Sequence, residues 1–204
     1  MSSTSSPRPP RLPRAERRAQ LLEAAHGIFA ERGYHSTAMD AIAEAAQVSK
    51  PVLYQHFPGK RELYLALLDS ELQGLSARLV TAVSETQDNR ERVNATVRLF
   101  FEYVAQDSGA HRLVFHSDVA HDTDVAERLA AFEATVGSAI GSIIAAQAGL
   151  PRASSDLLGH ALAGAARTAA MRWSEEREVP LTEAAALVAR LAWRGLGQFP
   201  RESA

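Results

Sequence analysis

Cysteine is absent from the 204-residue sequence. Disulfide bonds, thiol catalysis and cysteine metal sites are therefore excluded, and a reducing compartment is the natural setting for such a chain. Long apolar runs are also missing, since none approaches the ~20 residues that a membrane-spanning helix needs. The N-terminus lacks the apolar centre of a signal peptide. We therefore expect a soluble, cytoplasmic protein that makes no contact with a membrane.

Signatures of catalysis are missing as well. The sequence has no GxSxG, no P-loop, no dinucleotide-binding fingerprint and no HExxH motif. The histidines His111, His116 and His121 are spaced five apart and suggest a metal site, but a step of five residues turns ~140° around a helix. Because the three do not share a face, we expect them to be solvated or capping residues, with no metal and no cofactor. A small helical enzyme remains an alternative that the lack of motifs disfavours.

Charge of one sign does not dominate, since the formal net charge is only −2. Its distribution is uneven: residues 1–60 hold eight Lys/Arg and five Asp/Glu, whereas residues 61–204 hold fourteen and nineteen. The first part can therefore face phosphate while the rest faces water or another protein. Residues 1–13 are basic and rich in proline, which predicts a disordered arm.

Most of the remaining sequence predicts amphipathic helices and an all-α fold. The first helix has one apolar stripe at helical period, and Gly33 is a fitting stop for it. Thr37, followed by Asp40, predicts a capping-box start for a second helix. No segment alternates with period two, so we expect no sheet. The stripe of the first helix consists of Leu21, Leu22, Ala25, Ile28 and Phe29.

The stretch "VSKPVLYQHFPGKRELY" predicts a short third helix with a polar outer face. With Ser49 as its N-cap, Pro51 falls in the first turn, where its missing N–H costs nothing. The Pro58-Gly59 pair ends the helix, and Lys60 begins a longer one. Val48, Leu53 and Phe57 can be buried. The side chains left outside are Lys50, Pro51, Tyr54, Gln55 and His56.

The second and third helices, with the short break between them, predict a helix-turn-helix unit. Such a unit places its second helix in the DNA major groove. Lys50 can donate to guanine or phosphate, and Pro51 can contact thymine methyl groups. Packing of Tyr54 against a neighbouring helix, in an interaction module that binds no DNA, stays open as an alternative. The candidate DNA-binding residues are Thr37, Ser49, Lys50, Pro51, Tyr54, His56 and Lys60.

The segment "GYHSTAMDAIAEAAQVSKPVLYQHFPGKRELY" resembles the DNA-binding segment of the TetR family of bacterial regulators. The resemblance covers roughly residues 14–70. It implies a helix-turn-helix domain over 14–60 and a helical domain over 61–204 that dimerises and binds an effector. It also implies a cytoplasmic, nucleoid-associated homodimer on a palindromic double-stranded DNA operator.

The same resemblance implies roles for individual residues. Lys50 and Pro51 are expected to touch bases. Tyr54, His56 and Lys60 are expected to touch phosphate, and Tyr54 sometimes bases too. Thr37 is expected to contact the DNA backbone. Gln47 stands where the family usually has glycine, so a positive φ there would add a strain of order 1 kcal/mol.

Other stretches, among them "RLPRAERRAQLL" and "ARLAWRGLGQFP", resemble the mycobacterial branch of the family that regulates fatty-acid synthase genes. That resemblance implies a long-chain acyl-coenzyme A effector and leaves room for activation as well as repression. The alternative is a TetR-type repressor of an efflux or catabolic gene that responds to an unrelated hydrophobic compound. The operator sequence and the sign of control stay open.

The C-terminal sequence predicts an apolar effector cavity and a dimer interface. Residues 94–147 are rich in aromatic and branched side chains, and small residues such as Gly137 interrupt them. We expect these to keep space for a ligand, with close helix packing as the alternative. The last two helices, Ser155–Glu176 and Leu181–Phe199, have small-residue faces that suit a four-helix dimer bundle. The expected cavity walls are Phe100, Tyr103, Phe115, Phe132, Val136, Ile140, Gly141 and Trp173.

Overall fold

The computed structural model describes residues 12–106, 109–115, 119 and 122–195. No strand occurs within these ranges, so the all-α prediction is confirmed. The helices are α1 (Arg14–Arg32), α2 (Met39–Ala45), α3 (Lys50–His56), α4 (Lys60–Ser84), α5 (Asn89–Ala105), α6 (Ala110–Phe115), α7 (Thr123–Ala148), α8 (Arg152–Glu176) and α9 (Leu181–Arg194).

Helices α1, α2 and α3 form a small N-terminal unit around one apolar centre. Leu21 of α1, Ile42 of α2 and Leu53 of α3 have no exposed surface. Gly33 ends α1 at φ 74°, a left-handed value that glycine adopts without the steric cost of a Cβ atom. The predicted stripe of α1 and its stop are therefore confirmed.

The start of α2 differs from the prediction. Its N-cap is Ala38, and no side chain caps it. The hydroxyl of Thr37 donates instead to Gly33 O at 2.7 Å, back toward the end of α1. The capping box between Thr37 and Asp40 is therefore wrong, because the hydroxyl satisfies a carbonyl of the α1–α2 connection.

Helix α3 begins as the sequence predicts. Ser49 is its N-cap in an extended conformation, and Pro51 lies in the first turn, although the Ser49 hydroxyl makes no capping hydrogen bond. Phe57 ends the helix with an extended conformation before Pro58 and Gly59. The result is a seven-residue helix whose inner side is fixed by Leu53 and Phe57.

Gln47, in the turn between α2 and α3, has φ 53°. This left-handed conformation is the strained one that the sequence suggested, because a Cβ atom lies too close to the following carbonyl there. The turn is still well bonded: Gln47 N donates to Glu44 O at 2.9 Å and Val48 N to Ala43 O at 3.0 Å. The turn therefore keeps its hydrogen bonds although Gln47, and not glycine, occupies the left-handed position.

Replacing Gln47 by glycine should raise the free energy of unfolding by about 1 kcal/mol, since glycine adopts φ > 0 freely. The side chain of Gln47 is exposed, so little packing is lost with it. Urea denaturation measures the change. Gln47→Ala is the matched control and should stay near the parent, because alanine keeps the Cβ clash. A glycine variant no more stable than the alanine variant would contradict the strain.

Helix α4 joins the N-terminal unit to the rest of the chain through one continuous core. It packs against α1 on one side and against α5 and α7 on the other. Its leucines, for example Leu63, Leu68 and Leu75, are buried along its whole length. The division into domains at residue 60 therefore stays a prediction, because the core does not break there.

Helices α7 and α8 pack closely because glycines remove side chains between them. A Cβ atom on Gly159 would lie 2.2 Å from Gly137 O and 2.6 Å from Gly141 N. A Cβ atom on Gly141 would lie 2.7 Å from Asp156 Oδ1. The expectation that Gly137 and Gly141 keep space for a ligand is therefore wrong, and the close-packing alternative is right.

Helix α7 is long and apolar enough to cross a membrane by length and composition alone. A core helix of a water-soluble protein can pass the same test, and α7 packs here on α4 and α8. By this criterion, the expectation that no segment approaches the length of a membrane-spanning helix does not hold for α7.

The region around α6 was not predicted as a helix, because six residues are too few to show a period. His111 in α6 is buried, so its expected solvated role is wrong. His116, His121 and the side chain of Phe115 lie outside the described residues.

Candidate DNA-binding surface and effector cavity

The outer face of α3 presents polar and apolar groups to solvent. Lys50 and Pro51 at its start are exposed, and Tyr54 is 48% exposed one turn later. Leu53 and Phe57 hold the opposite side in the core. The alternative in which Tyr54 packs into a neighbouring helix is not what the structure shows.

An ion pair crosses from α3 to α2 on this surface. Lys50 Nζ lies 2.5 Å from Asp40 Oδ2, and both side chains are largely exposed. Exposed pairs of this kind contribute about 0–1 kcal/mol. Asp40 can therefore position the Lys50 ammonium on this surface, and the ammonium can still exchange Asp40 for an acceptor on DNA.

A basic cluster lies beside the end of α3. It consists of Arg14, Arg17 and Arg18 on one side of α1, with His56 facing them. Arg18 also lies over the Phe57 ring, 4.4 Å from its centroid. Burial lowers the pKa of His56 below its ordinary 6.5, and the charges of Arg14, Arg18 and Arg17 lower it further. The sequence prediction missed Arg17 and Arg18, although their i, i+3, i+4 spacing with Arg14 was a readable signal.

Operator binding should tighten as the pH falls from 8 toward 6 if His56 faces phosphate. The free protein disfavours protonated His56, whereas a neighbouring phosphate favours it, so binding takes up a proton. The gain in affinity should begin as the pH falls to the pKa of His56 in the complex. It should level off below the lower pKa of His56 in the free protein. A difference of one pKa unit corresponds to about tenfold in affinity. Fluorescence anisotropy with labelled DNA measures it, and His56→Gln should flatten the profile; an unchanged profile would remove His56 from the phosphate contacts.

Lys60 is occupied inside the chain. Its Nζ donates to Tyr34 O at 2.8 Å, Thr37 O at 2.9 Å and His35 O at 3.3 Å. An ammonium has three N–H donors, so all are used. Lys60 thereby ties the α1–α2 connection to the start of α4, and its phosphate contact stays a prediction that requires these bonds to open. Thr37 is in the same position, since its side chain is 2% exposed and its hydroxyl is already bonded.

The next residue, Arg61, connects α4 to the start of α7. Its guanidinium bonds Asp122 at 3.0 and 3.2 Å and Asp124 at 2.6 Å. The hydrogen bond from Arg61 holds the pKa of the Asp122 carboxyl below its usual range. Three charge-assisted hydrogen bonds from Arg61, called the Arg61 fork, thus link α4 to the start of α7.

The C-terminal helices line a cavity of about 410 Å³ that is partly open to solvent. It lies between α5, α7, α8 and α9, at the end of α4 far from the N-terminal unit. Pockets for small molecules occupy roughly 300–1,000 Å³ and are mostly apolar with a few polar groups. The lining fits that description and consists of Val83, Asn89, Arg92, Val93, Thr96, Val97, Ile140, Ile143, Ile144, Gln147, Ala148, Leu162, Ala166, Ala192 and Trp193.

Ile140 is the one predicted wall residue among those lining this cavity. Phe100, Tyr103 and Val136 are buried in the core instead, and Gly141 lies in the α7–α8 contact. These positions were chosen for their residue types, which do not show the direction in which a side chain points.

The other two described predictions lie elsewhere. Phe132 lines a separate groove of about 510 Å³ between α4 and α7. Trp173 is tied to the α8–α9 connection, where its Nε1 donates to Val179 O at 2.7 Å and its ring lies 5.6 Å from Phe101. Of the predicted wall, only Ile140 coincides with this cavity, and the assignment of the effector wall stays a prediction.

Apolar side chains are exposed on α8 and α9. Leu157 is 71% exposed, and Leu158, Leu187 and Leu191 are also exposed. A monomer in water would gain by covering these apolar side chains.

Among the described residues, no group of three or more His, Asp or Glu is placed to hold a metal ion.

Comparison with known sequences gives two findings. Residues 21–67 match the family described as "Bacterial regulatory proteins, tetR family". The chain is also 38% identical over 191 residues to the HTH-type transcriptional activator FasR of Mycolicibacterium smegmatis, covering 93% of this chain and 87% of FasR.

Comparison with solved structures gives the same fold. A TetR-like transcriptional regulator from Rhodococcus sp. RHA1 is 30% identical and superposes with a TM-score of 0.67, covering 93% of this chain and 100% of that one. FadR from Bacillus subtilis, solved in complex with stearoyl-CoA, superposes with a TM-score of 0.71 at 17% identity, covering 87% and 98%. The likeness to FadR concerns the fold.

Proposed function

Because this chain belongs to the TetR family and is a transcriptional regulator rather than an enzyme, we propose that it binds a palindromic operator as a homodimer. An effector bound in its C-terminal cavity alters that affinity. The observation that carries the proposal is the outer face of α3, a short helix held in the core on one side and open on the other.

Lys50, Pro51 and Tyr54 supply the base-facing contacts. They lie in the first two turns of α3, the part of a recognition helix that reaches base edges. The basic cluster of Arg14, Arg17 and Arg18, with His56, supplies contacts to phosphate that fix the register of the helix. Lys60 and Thr37 hold the connection behind α3, and their contact with DNA depends on rearrangement of the bonds described above.

Two recognition helices are needed for a stable complex, because a single seven-residue helix offers few contacts. A symmetric dimer places two such helices ~34–36 Å apart, one turn of DNA. The exposed leucines of α8 and α9 are the surface for this dimer. Dimerisation and operator symmetry are thus one proposal with two parts.

The effector is a long-chain acyl-coenzyme A or another apolar compound of similar shape. FadR was solved with stearoyl-CoA, which supports the acyl class, and FasR is a transcriptional activator, which supports activation as the sign of control. An effector can shift the dimer between two separations of its recognition helices only by binding them unequally. The Arg61 fork and the continuous core of α4 are the routes by which the cavity reaches the N-terminal unit.

Selection from random DNA with the full chain tests the DNA part of the proposal. We expect a palindrome, and Lys50→Ala should relax discrimination at one position per half-site by about 1–3 kcal/mol. The chain with Gln55→Ala is the control, since Gln55 is exposed on α3 but has no assigned contact. Return of the same motif at the same stringency from the Lys50 variant would show that α3 docks in another register.

Titration of the selected DNA complex with acyl-coenzyme A of increasing chain length tests the effector. We expect operator affinity to change progressively with length. If no length changes it and another class of hydrophobic compound does, the acyl part is wrong and the regulator part stands.

A further inference from the structure

One charged side chain lines the large C-terminal cavity: Arg92, the fourth residue of α5. Its surface is only 9% exposed. Its guanidinium donates to Val83 O at 2.9 Å, Asn89 Oδ1 at 2.7 Å and Gln87 Oε1 at 3.2 Å. All three acceptors are neutral oxygens.

The positive charge of Arg92 has no anionic partner within the described residues, where none of the ion pairs includes it. Arginines with so little exposure are rare unless paired with a negative charge. The three bonds tie the α4–α5 turn together, which explains the position of the guanidinium but not its charge. A guanidinium has five N–H donors, so two remain available.

The rest of the lining has three uncharged polar residues and is otherwise apolar. Thr96, one turn beyond Arg92 on α5, and Asn89 and Gln147 are uncharged polar residues of the lining. The remaining wall is hydrocarbon or aromatic, with Ile140, Ile143, Ile144, Leu162 and Trp193 as its largest members. The cavity thus combines one cation with a long apolar surface.

We propose that this cavity binds a single-chain amphiphile whose one carboxylate pairs with Arg92 while its hydrocarbon lies against the isoleucine wall. The inference rests on the proposed function, because it names the class of effector. It favours a free long-chain acid over an acyl-coenzyme A, since the thioester of an acyl-coenzyme A has no carboxylate to pair with Arg92.

Calorimetry without DNA tests the proposal on the full-length protein. The probes are saturated n-alkanoates of ten to sixteen carbons, their methyl esters, and palmitoyl-coenzyme A. We expect the acids to bind at least tenfold more tightly than esters of equal length. Each added methylene should tighten binding about fourfold, from ~0.8 kcal/mol per buried CH₂, until the cavity is full.

Arg92→Met is the decisive variant, because methionine keeps the length and removes the charge. It should weaken binding of the acids at least tenfold and leave binding of the esters unchanged. Unchanged ester binding also shows that the cavity is intact. Arg92→Lys is the matched control and should keep most of the preference for the acid. If Arg92→Met does not fold, the acid–ester comparison on the parent chain still decides.

The proposal would be overturned by equal affinity of the parent for acid and ester, by a preference that survives in Arg92→Met, or by tighter binding of palmitoyl-coenzyme A than palmitate. Absence of binding by every alkanoate would overturn it too. Failure of the proposed function is a separate result, since alkanoate binding that leaves operator affinity unchanged would contradict regulation and not the site.

Discussion

Valine at Gly159 should destabilise the folded chain by more than about 3 kcal/mol, beyond the usual 1–3 kcal/mol of an overpacked core. Even the first carbon of a side chain there would lie 2.2 Å from Gly137 O and 2.6 Å from Gly141 N. These are backbone atoms of α7 and cannot rotate away. The two helices would have to separate along the most extensive helix contact in the fold.

Urea denaturation of Gly159→Val and Gly164→Ala measures this effect against a matched control. Gly164 lies on the same helix, and a Cβ atom there meets nothing within 4 Å. Alanine at that position should be stabilising by about 0.5–1 kcal/mol, since glycine costs that much inside a helix. Unfolding of the valine variant at the midpoint of the parent would show that α7 and α8 are not locked by these glycines.

The double substitution Leu157→Asp and Leu187→Asp should convert the proposed dimer into monomers and reduce affinity for the proposed operator by at least a hundredfold. Both leucines are exposed, one on α8 and one on α9. Carboxylates buried in an apolar interface without partners cost several kcal/mol. The loss at the operator follows because two linked sites bind 10²–10⁴-fold more tightly than either alone.

Sedimentation and fluorescence anisotropy on the same samples test the two parts of this prediction. Val80→Asp is the control, since Val80 is an exposed apolar residue on α4, outside the proposed interface. It should leave both the dimer and the operator complex intact. A dimer that survives the double substitution would move the interface away from α8 and α9.

The recognition helix could be predicted from the sequence because its boundaries depend on local chemistry. Pro51 can lie only near a helix start, and Pro58 with Gly59 stops a helix whatever surrounds it. The positive φ of Gln47 was suggested by the family resemblance, because glycine is usual at that place in the turn. Such signals act within a few residues and need no tertiary information.

The lining of the C-terminal cavity could not be predicted in the same way. Small residues at Gly137 and Gly141 are compatible with an empty space and with a close helix contact. What decides is the helix opposite, and Gly159 lies eighteen residues beyond Gly141. Arg92 was missed for a related reason, because a charged residue near a helix start normally indicates solvent, whereas here its guanidinium is bonded to Val83 O of α4 and to Gln87 of the α4–α5 turn.

The role of Lys60 shows the same limit within the DNA-binding segment. Its spacing from α3 suggested phosphate, whereas its partners are carbonyls at 34, 35 and 37. A separation of more than twenty residues leaves no trace in a local pattern. The same holds for Arg61, whose partners Asp122 and Asp124 lie at the start of α7, about sixty residues further along the chain.

The leucines of α4 bear on how hybrid regulators can be made from this chain. A junction placed at residue 60 would separate α1 from buried partners such as Leu63 and Tyr64, and would leave an apolar end on the N-terminal unit. A graft onto a foreign effector domain therefore has to carry α4 with it, and that domain has to accept the outer side of α4 in place of its own helix. The boundary for exchanging domains lies after Ser84, the last residue of α4, in the turn before α5, whose N-cap is Asp88.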